Sequence, residues 1–246
     1  MSFFEFIKFF VGCMRHPKRL FYPNSYNNKR FIEYLRKRGA KIGRNTRFIS
    51  PSNCVVDPGR VDYITIGDNC CLSNVSILAH DYSWYVFLDA YNDIVPDPGG
   101  EVVIGNNVFV GYQTVILKDT HIGDNVIIGA RSVVKGDVPS NSVWAGCPAK
   151  MICSLDEFYN RKKNVMIESA IKRCNHIQMK YGREPTIHEM GLFAFLFLDR
   201  NEHTYSQYIQ NIELNGIKCN KRIKELFFST KPLFPSFDAF LNSKKK

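Results

Sequence analysis

Two histidines fall in the middle of this 246-residue chain, and one of them, His80, is followed at once by Asp81 at the point where a regular sequence pattern breaks. An imidazole titrates near neutrality, which suits a group that takes a proton from an alcohol. Adjacent side chains on an extended segment point to opposite faces, so Asp81 either orients His80 or stands solvated beside it. His121 falls inside the regular pattern, at an outward-facing position. His80 and His121 are the only histidines between residues 40 and 153. A third ligand is missing, so no metal site is expected there. The eight cysteines, at 13, 54, 70, 71, 147, 153, 174 and 219, form no CxxC pair and read as small buried apolar residues of a reducing compartment.

The element that positions His80 is a repeat of period six. Stepping by six from Ile42 gives Phe48, Cys54, Arg60, Ile66, Leu72 and Leu78; stepping from Ile104 gives Val110, Ile116, Ile122, Ile128 and Val134. Eleven of these thirteen positions are aliphatic or Phe, so the pattern specifies an inward row. Small or β-branched residues such as Thr46, Thr114, Thr120 and Ser132 recur four positions later. Neither a 3.6-residue helix nor simple alternation yields period six. A short strand and a tight turn on each face of a triangular prism does, with three hexads closing a coil of about 18 residues and stacked coils burying a continuous core. The I-G-D/N-N runs at 66–69, 104–107 and 122–125 read as corners, where Gly or Asn tolerates positive φ. The 26 residues from Leu78 to Ile104 are not a multiple of six. A loop therefore leaves the prism there, and long loops in compact folds are usually functional.

The hexads resemble the hexapeptide-repeat acyltransferases over about residues 40–153, and that resemblance implies a left-handed parallel β-helix. The ILAHD stretch before the loop, with IGNNVFVG and IGARSVV after it, is similar to sugar and polysaccharide O-acetyltransferases of the galactoside and maltose type. The resemblance implies that His80 is the general base, with Asp81 beside it. It also implies that Asn53, 13 residues before Ile66, holds the acceptor, and that Trp84 belongs to an inserted loop, residues 79–103, that reaches a neighbouring subunit and contacts substrate. Acetyl-CoA, as co-substrate, would run along Phe109, Gly111, Tyr112, Ala130 and Ser132. Its phosphates would meet Lys150, in the ending motif DVPSNSVWAGCPAKMI, and also Lys135. No Ser or Cys nucleophile is required, because acetyl-CoA is already an activated thioester. A homotrimer and a carbohydrate acceptor complete what the resemblance implies.

Charge is uneven: residues 1–50 hold twelve basic and two acidic side chains, and the remaining 196 hold 21 of each. The stretch from Phe3 to Cys13 is apolar except for Glu5 and Lys8 and is followed by Arg15, Lys18 and Arg19. It reads as a short core-docking helix with a solvated basic flank, or as a peripheral contact with an anionic inner-membrane surface. No window reaches the roughly 18–20 apolar residues of a membrane span, and the chain reads as cytoplasmic. No nucleic-acid motif accompanies the basic residues. Three parts are expected: a basic, partly helical segment over 1–39, the β-helix over 40–153, and a helical extension over 154–246. In the extension, Ser154-x-x-Glu157 is a capping box opening a helical stretch to residue 181, with further helices expected over 187–200 and 204–226. The expected function is acetyl-CoA-dependent O-acetyl transfer to a sugar hydroxyl of a surface polysaccharide or its precursor. The alternatives are N-acetyl transfer to an amino sugar, or a non-catalytic hexapeptide-repeat scaffold.

Overall fold

The computed structural model describes residues 21–214 and 221–243. The expected helix within residues 3–13 and its basic flank lie outside the described residues. The chain divides into two compact units with a boundary at Asn160, within the helix Leu155–Asn164.

The first unit is a prism of short parallel strands with three faces. Lys41–Ile42, Ile64–Ile66, Val102–Ile104 and the ends of Val115–Ile122 and Val133–Val138 pair along the first face. Arg47–Ile49, Cys71–Ser73, Phe109–Val110, Ile127–Ile128 and Ser142–Gly146 make the second. Val55–Val56, Ser76–Ile77 and the starts of Val115–Ile122 and Val133–Val138 make the third. The strand Val115–Ile122 turns a corner at Asp119, where φ is 58°, so the first and third faces join into one seven-stranded sheet beside the six-stranded second face. Ile66, Ile104, Leu72, Val110, Ile116 and Val134 fill the interior in rows, as period six requires.

Two details differ from the expected pattern. From Val102 to Val134 the coils repeat every 18 residues (Val102 opposite Thr120, Val115 opposite Val133). The first coil is longer, with Ile42 opposite Ile66, and the third face is offset, with Val56 opposite Ile77. The inward positions are therefore Val56 and Ile77, not Cys54 and Leu78. The corner glycines, moreover, do not supply positive φ. Asn45, Asn69, Asn107, Asn125 and Asn141 do, at φ between 55° and 59°. Their amides stack from coil to coil: Asn107 Nδ2 donates to Asn125 Oδ1 at 2.8 Å and Asn125 Nδ2 to Asn141 Oδ1 at 3.0 Å. Glycine stands at 43, 67, 105 and 123 because the next coil passes too close for a side chain. A Cβ on Gly105 would lie 2.8 Å from the carbonyl carbon of Gly123.

The helix Asn28–Lys37 starts at Asn27, whose side chain accepts from Arg30 N. It buries Phe31, Ile32 and Leu35 against the first coil, with the Phe31 ring edge-on to Phe48 at 5.0 Å. At the other end, Ala149–Ser154 returns antiparallel to Ser142–Gly146.

The second unit has its own aromatic core around Phe197, Tyr208, Phe227 and Phe240. Arg200 lies over the rings of Phe195 and Phe227 at 4.4 and 4.6 Å and donates to the Phe195 carbonyl at 2.8 Å. The capping box at 154–157 is present: Glu157 N donates to Ser154 Oγ, and Ser154 N to Glu157 Oε2. The first helical stretch is two helices, Leu155–Asn164 and Met166–Tyr181, ending at Gly182 with φ 66°. Residues 187–200 do not form the expected α-helix. His188–Leu196 is 3₁₀, broken at Gly191 (φ 55°, ψ −127°), because an apolar run without 3.6-residue periodicity has no single face to bury. Where the third helix is expected, Glu202–Leu214 and Lys221–Ser229 are helical, and residues 215–220 lie outside the described residues. A final helix spans Phe237–Ser243.

Candidate active site

The third face delivers His80 to solvent. Leu78 N still donates to the Ile116 carbonyl at 2.9 Å, Ala79 is wholly buried, and the chain then leaves the prism. At that exit the His80 Nδ1 atom is hydrogen-bonded to Oδ2 of Asp57. Asp57 sits just past the strand Val55–Val56, one coil earlier, and is wholly buried. The same carboxylate accepts from Ala79 N at 2.9 Å and from Gly59 N at 3.0 Å. Burial works against its charge, but the Ala79 N–H, the His80 imidazole and the Gly59 N–H prevail, and Asp57 is held below the ordinary carboxylate range. An ionised carboxylate only accepts hydrogen bonds. The proton of neutral His80 therefore sits on Nδ1, and Nε2 carries the basic lone pair.

A cleft of about 400 Å³ opens beside this pair, lined by Leu78, His80, Asp81, Tyr82, Leu117, Lys118 and Lys135. Leu78, Leu117 and Lys135 follow the registered strand positions Ile77, Ile116 and Val134, so they form one outward row across three coils. The Tyr82 ring lies 4.1 Å from the His80 ring, centroid to centroid. Asp81 is not bonded to the imidazole. Its Oδ1 accepts from Ser83 N at 2.7 Å, and its own N–H donates to Asp97 Oδ2 at 2.9 Å. The orienting carboxylate is Asp57, which sequence reasoning missed: Val-Val-Asp-Pro-Gly reads as a turn, and only the coil offset brings it under His80.

Of the other sequence candidates, Lys135 alone joins His80 and Asp81 in this cleft. Asn53 ends the short 3₁₀ segment Pro51–Asn53, where it accepts from Ser52 Oγ. Trp84 caps a helix, Tyr85–Tyr91, inside the loop. Phe109 lines a separate groove of about 320 Å³ on the second face, with Asn69, Cys71 and Asn125. Tyr112 and Ala130 are exposed at the corner between the second and third faces. Gly111 is there because a Cβ would lie 2.5 Å from Ala130 N. Ser132 is wholly buried, its Oγ donating to the Gly129 carbonyl and accepting from Gly146 N, so its side chain serves the corner. Lys150 is exposed on the terminal strand, opposite Ala145. His121 pairs with Asp137 at 3.0 Å on the exposed first face.

Residues 101–136 match the family model "Bacterial transferase hexapeptide (six repeats)". The chain is 35% identical over 150 residues to protein CapG of Staphylococcus aureus, covering 59% of this chain and 83% of that protein. It is 37% identical over 121 residues to Escherichia coli K12 WbbJ, a protein named for lipopolysaccharide biosynthesis O-acetyl transfer, covering 45% of this chain and 62% of WbbJ. It is also 37% identical over 119 residues to the galactoside O-acetyltransferase of the same strain, covering 47% of this chain and 54% of that enzyme. Stacked hexads with inward aliphatic rows, asparagine corners and close-packed glycines, together with the match across most of CapG, establish that this chain belongs to the hexapeptide-repeat transferase family.

Proposed function

We propose that the protein is an acetyl-CoA-dependent O-acetyltransferase acting on a sugar hydroxyl of a surface polysaccharide or its precursor, in a prism of the left-handed sense its family implies. The buried Asp57 beneath His80 carries this reading. His80 Nε2 takes the hydroxyl proton as the oxygen attacks the thioester carbonyl, and Asp57 holds the ring and stabilises the imidazolium that forms. The proton passes to the departing thiolate, and the acetyl group moves directly to the sugar. Tyr82 offers a ring and Leu78 and Leu117 an apolar floor for the acceptor, the usual make-up of a small-ligand cleft.

A homotrimer is part of this proposal. Phe109 and Tyr112 do not line the cleft that holds His80, and in this proposal a second copy brings such a donor-binding surface to it. Tyr85, Val86, Tyr91 and Ile94 of the inserted loop are exposed, as a loop that packs on a neighbour would be. Among the described residues no helix is long and apolar enough to cross a membrane.

The test is acetyl transfer from acetyl-CoA to a glycan panel, read by mass. His80→Ala should lower kcat by about 10²–10⁴, the usual contribution of a general base. His121→Ala should leave it unchanged. Near-wild-type turnover in His80→Ala, or a fully active monomer by light scattering, overturns the corresponding part.

A further inference from the structure

One carboxylate gathers both ends of the inserted loop. Asp97 accepts from Asp81 N at 2.9 Å, where the loop leaves, and from Gly99 N at 3.1 Å, where it returns. Its other oxygen is paired with Lys118 Nζ, on the adjacent strand Val115–Ile122. Arg60 reinforces the return, donating to the carbonyls of Asp97 at 3.1 Å and Pro98 at 2.8 Å. Gly100 N donates to the Ala79 carbonyl at 3.0 Å, so His80 is framed between two residues fixed by this arrangement. Gly99 has φ +80°, and a Cβ there would meet Arg60 and the Ala79 carbonyl. The Asp97–Lys118 pair is largely shielded, with side chains 15% and 23% exposed.

We propose that Asp97 is a positioning residue. It clamps the loop to the third face and, by neutralising Lys118, keeps the charge around His80 balanced. The inference rests on His80 being the base. The ionisable groups facing that base are Asp57 on Nδ1, and Asp81, Tyr82, Lys118 and Lys135 across the cleft. Of these Lys118 is paired directly with Asp97, with Asp81 and Asp119 as weaker neighbours, so removing either partner of the pair changes the net charge beside the imidazole by one unit. The sign depends on which is removed. An unpaired lysine opposes the imidazolium, and an unpaired carboxylate favours it.

The test compares Asp97→Asn, Lys118→Met and the double variant. The acidic limb of the pH–rate profile should move to lower pH in Asp97→Asn and to higher pH in Lys118→Met, and return close to wild type in the double variant. Loss of packing alone does not produce opposite shifts from two members of one pair. Chymotrypsin should cleave the aromatic segment 82–91 about tenfold faster in Asp97→Ala, which has no side-chain oxygen to accept the Asp81 and Gly99 N–H groups, as for a loop that opens more often. Unmoved limbs, shifts in the same direction, or unchanged cleavage would overturn the clamp. If wild-type protein acetylates no acceptor, the proposed function fails, whereas the cleavage assay still decides whether Asp97 holds the loop.

Discussion

Asp57 and His80 are 23 residues apart in sequence and joined through Nδ1 in the fold, with the carboxylate wholly buried and the ring at the mouth of a cleft. The buried partner keeps two backbone donors as well, so its position is over-determined while the imidazole keeps one nitrogen for chemistry.

Asp57→Asn should keep the fold and impair turnover. An amide is uncharged and can donate as well as accept, so it neither fixes the tautomer nor stabilises imidazolium. The expected fall in kcat is about 10²–10⁴, with the KM for acetyl-CoA near wild type. Steady-state kinetics beside a circular dichroism melt checks this; full turnover in a folded variant would remove Asp57 from the mechanism.

Lys150→Ala should raise the KM for acetyl-CoA more than it lowers kcat. A phosphate contact is made equally in ground and transition states, so its loss appears in binding. An unchanged KM would move the phosphate site away from the terminal hairpin.

Gly105→Ala should destabilise the prism by about 1–3 kcal/mol, the usual cost of overpacking. The added Cβ would sit 2.8 Å from backbone of the next coil, which cannot step aside without parting two coils. A melting temperature equal to wild type would mean that the coils separate more easily than their packing implies.

The second unit should soften in acid. Glu189 is lowered to about 2, first by Arg183 and then by the N–H of Thr186. A carboxyl depressed in the folded state contributes stability above its unfolded value, near 4.3, and loses it as pH falls toward the folded value. Between about pH 4 and 2, wild type should lose more thermal stability than Glu189→Gln, and parallel melting curves would refute the linkage.

The prism was readable because each regular coil repeats its inward residue every six positions, most strictly from Ile104 to Val134. The earlier coils kept the motif but hid their register, since the inward positions of the third face are Val56 and Ile77. His80 was legible as a histidine at a break. Asp57 was not, because its meeting with His80 depends on how one coil stacks on the next, a non-local relation that spacing does not encode. The apolar run 191–198, within the helix expected over 187–200, marks burial but not conformation. Met190, Ala194, Leu196, Phe197 and Leu198 are all buried, so no single stripe marked a helix, and Gly191 breaks the chain direction.

The helix Asn28–Lys37 has a meaning beyond packing. A stack of parallel coils is an open polymer, and its first rung presents unpaired backbone groups that a second molecule could extend. Arg36 occupies the carbonyls of Ile42 and Gly43, and Asn28 takes the N–H of Phe48. At the far end the strand Ala149–Ser154 runs antiparallel, a direction in which no further coil can be added in register. Each end of the described stack thus carries groups that occupy exposed backbone, and deletion of the helix is expected to leave first-rung groups open to pairing with a second molecule.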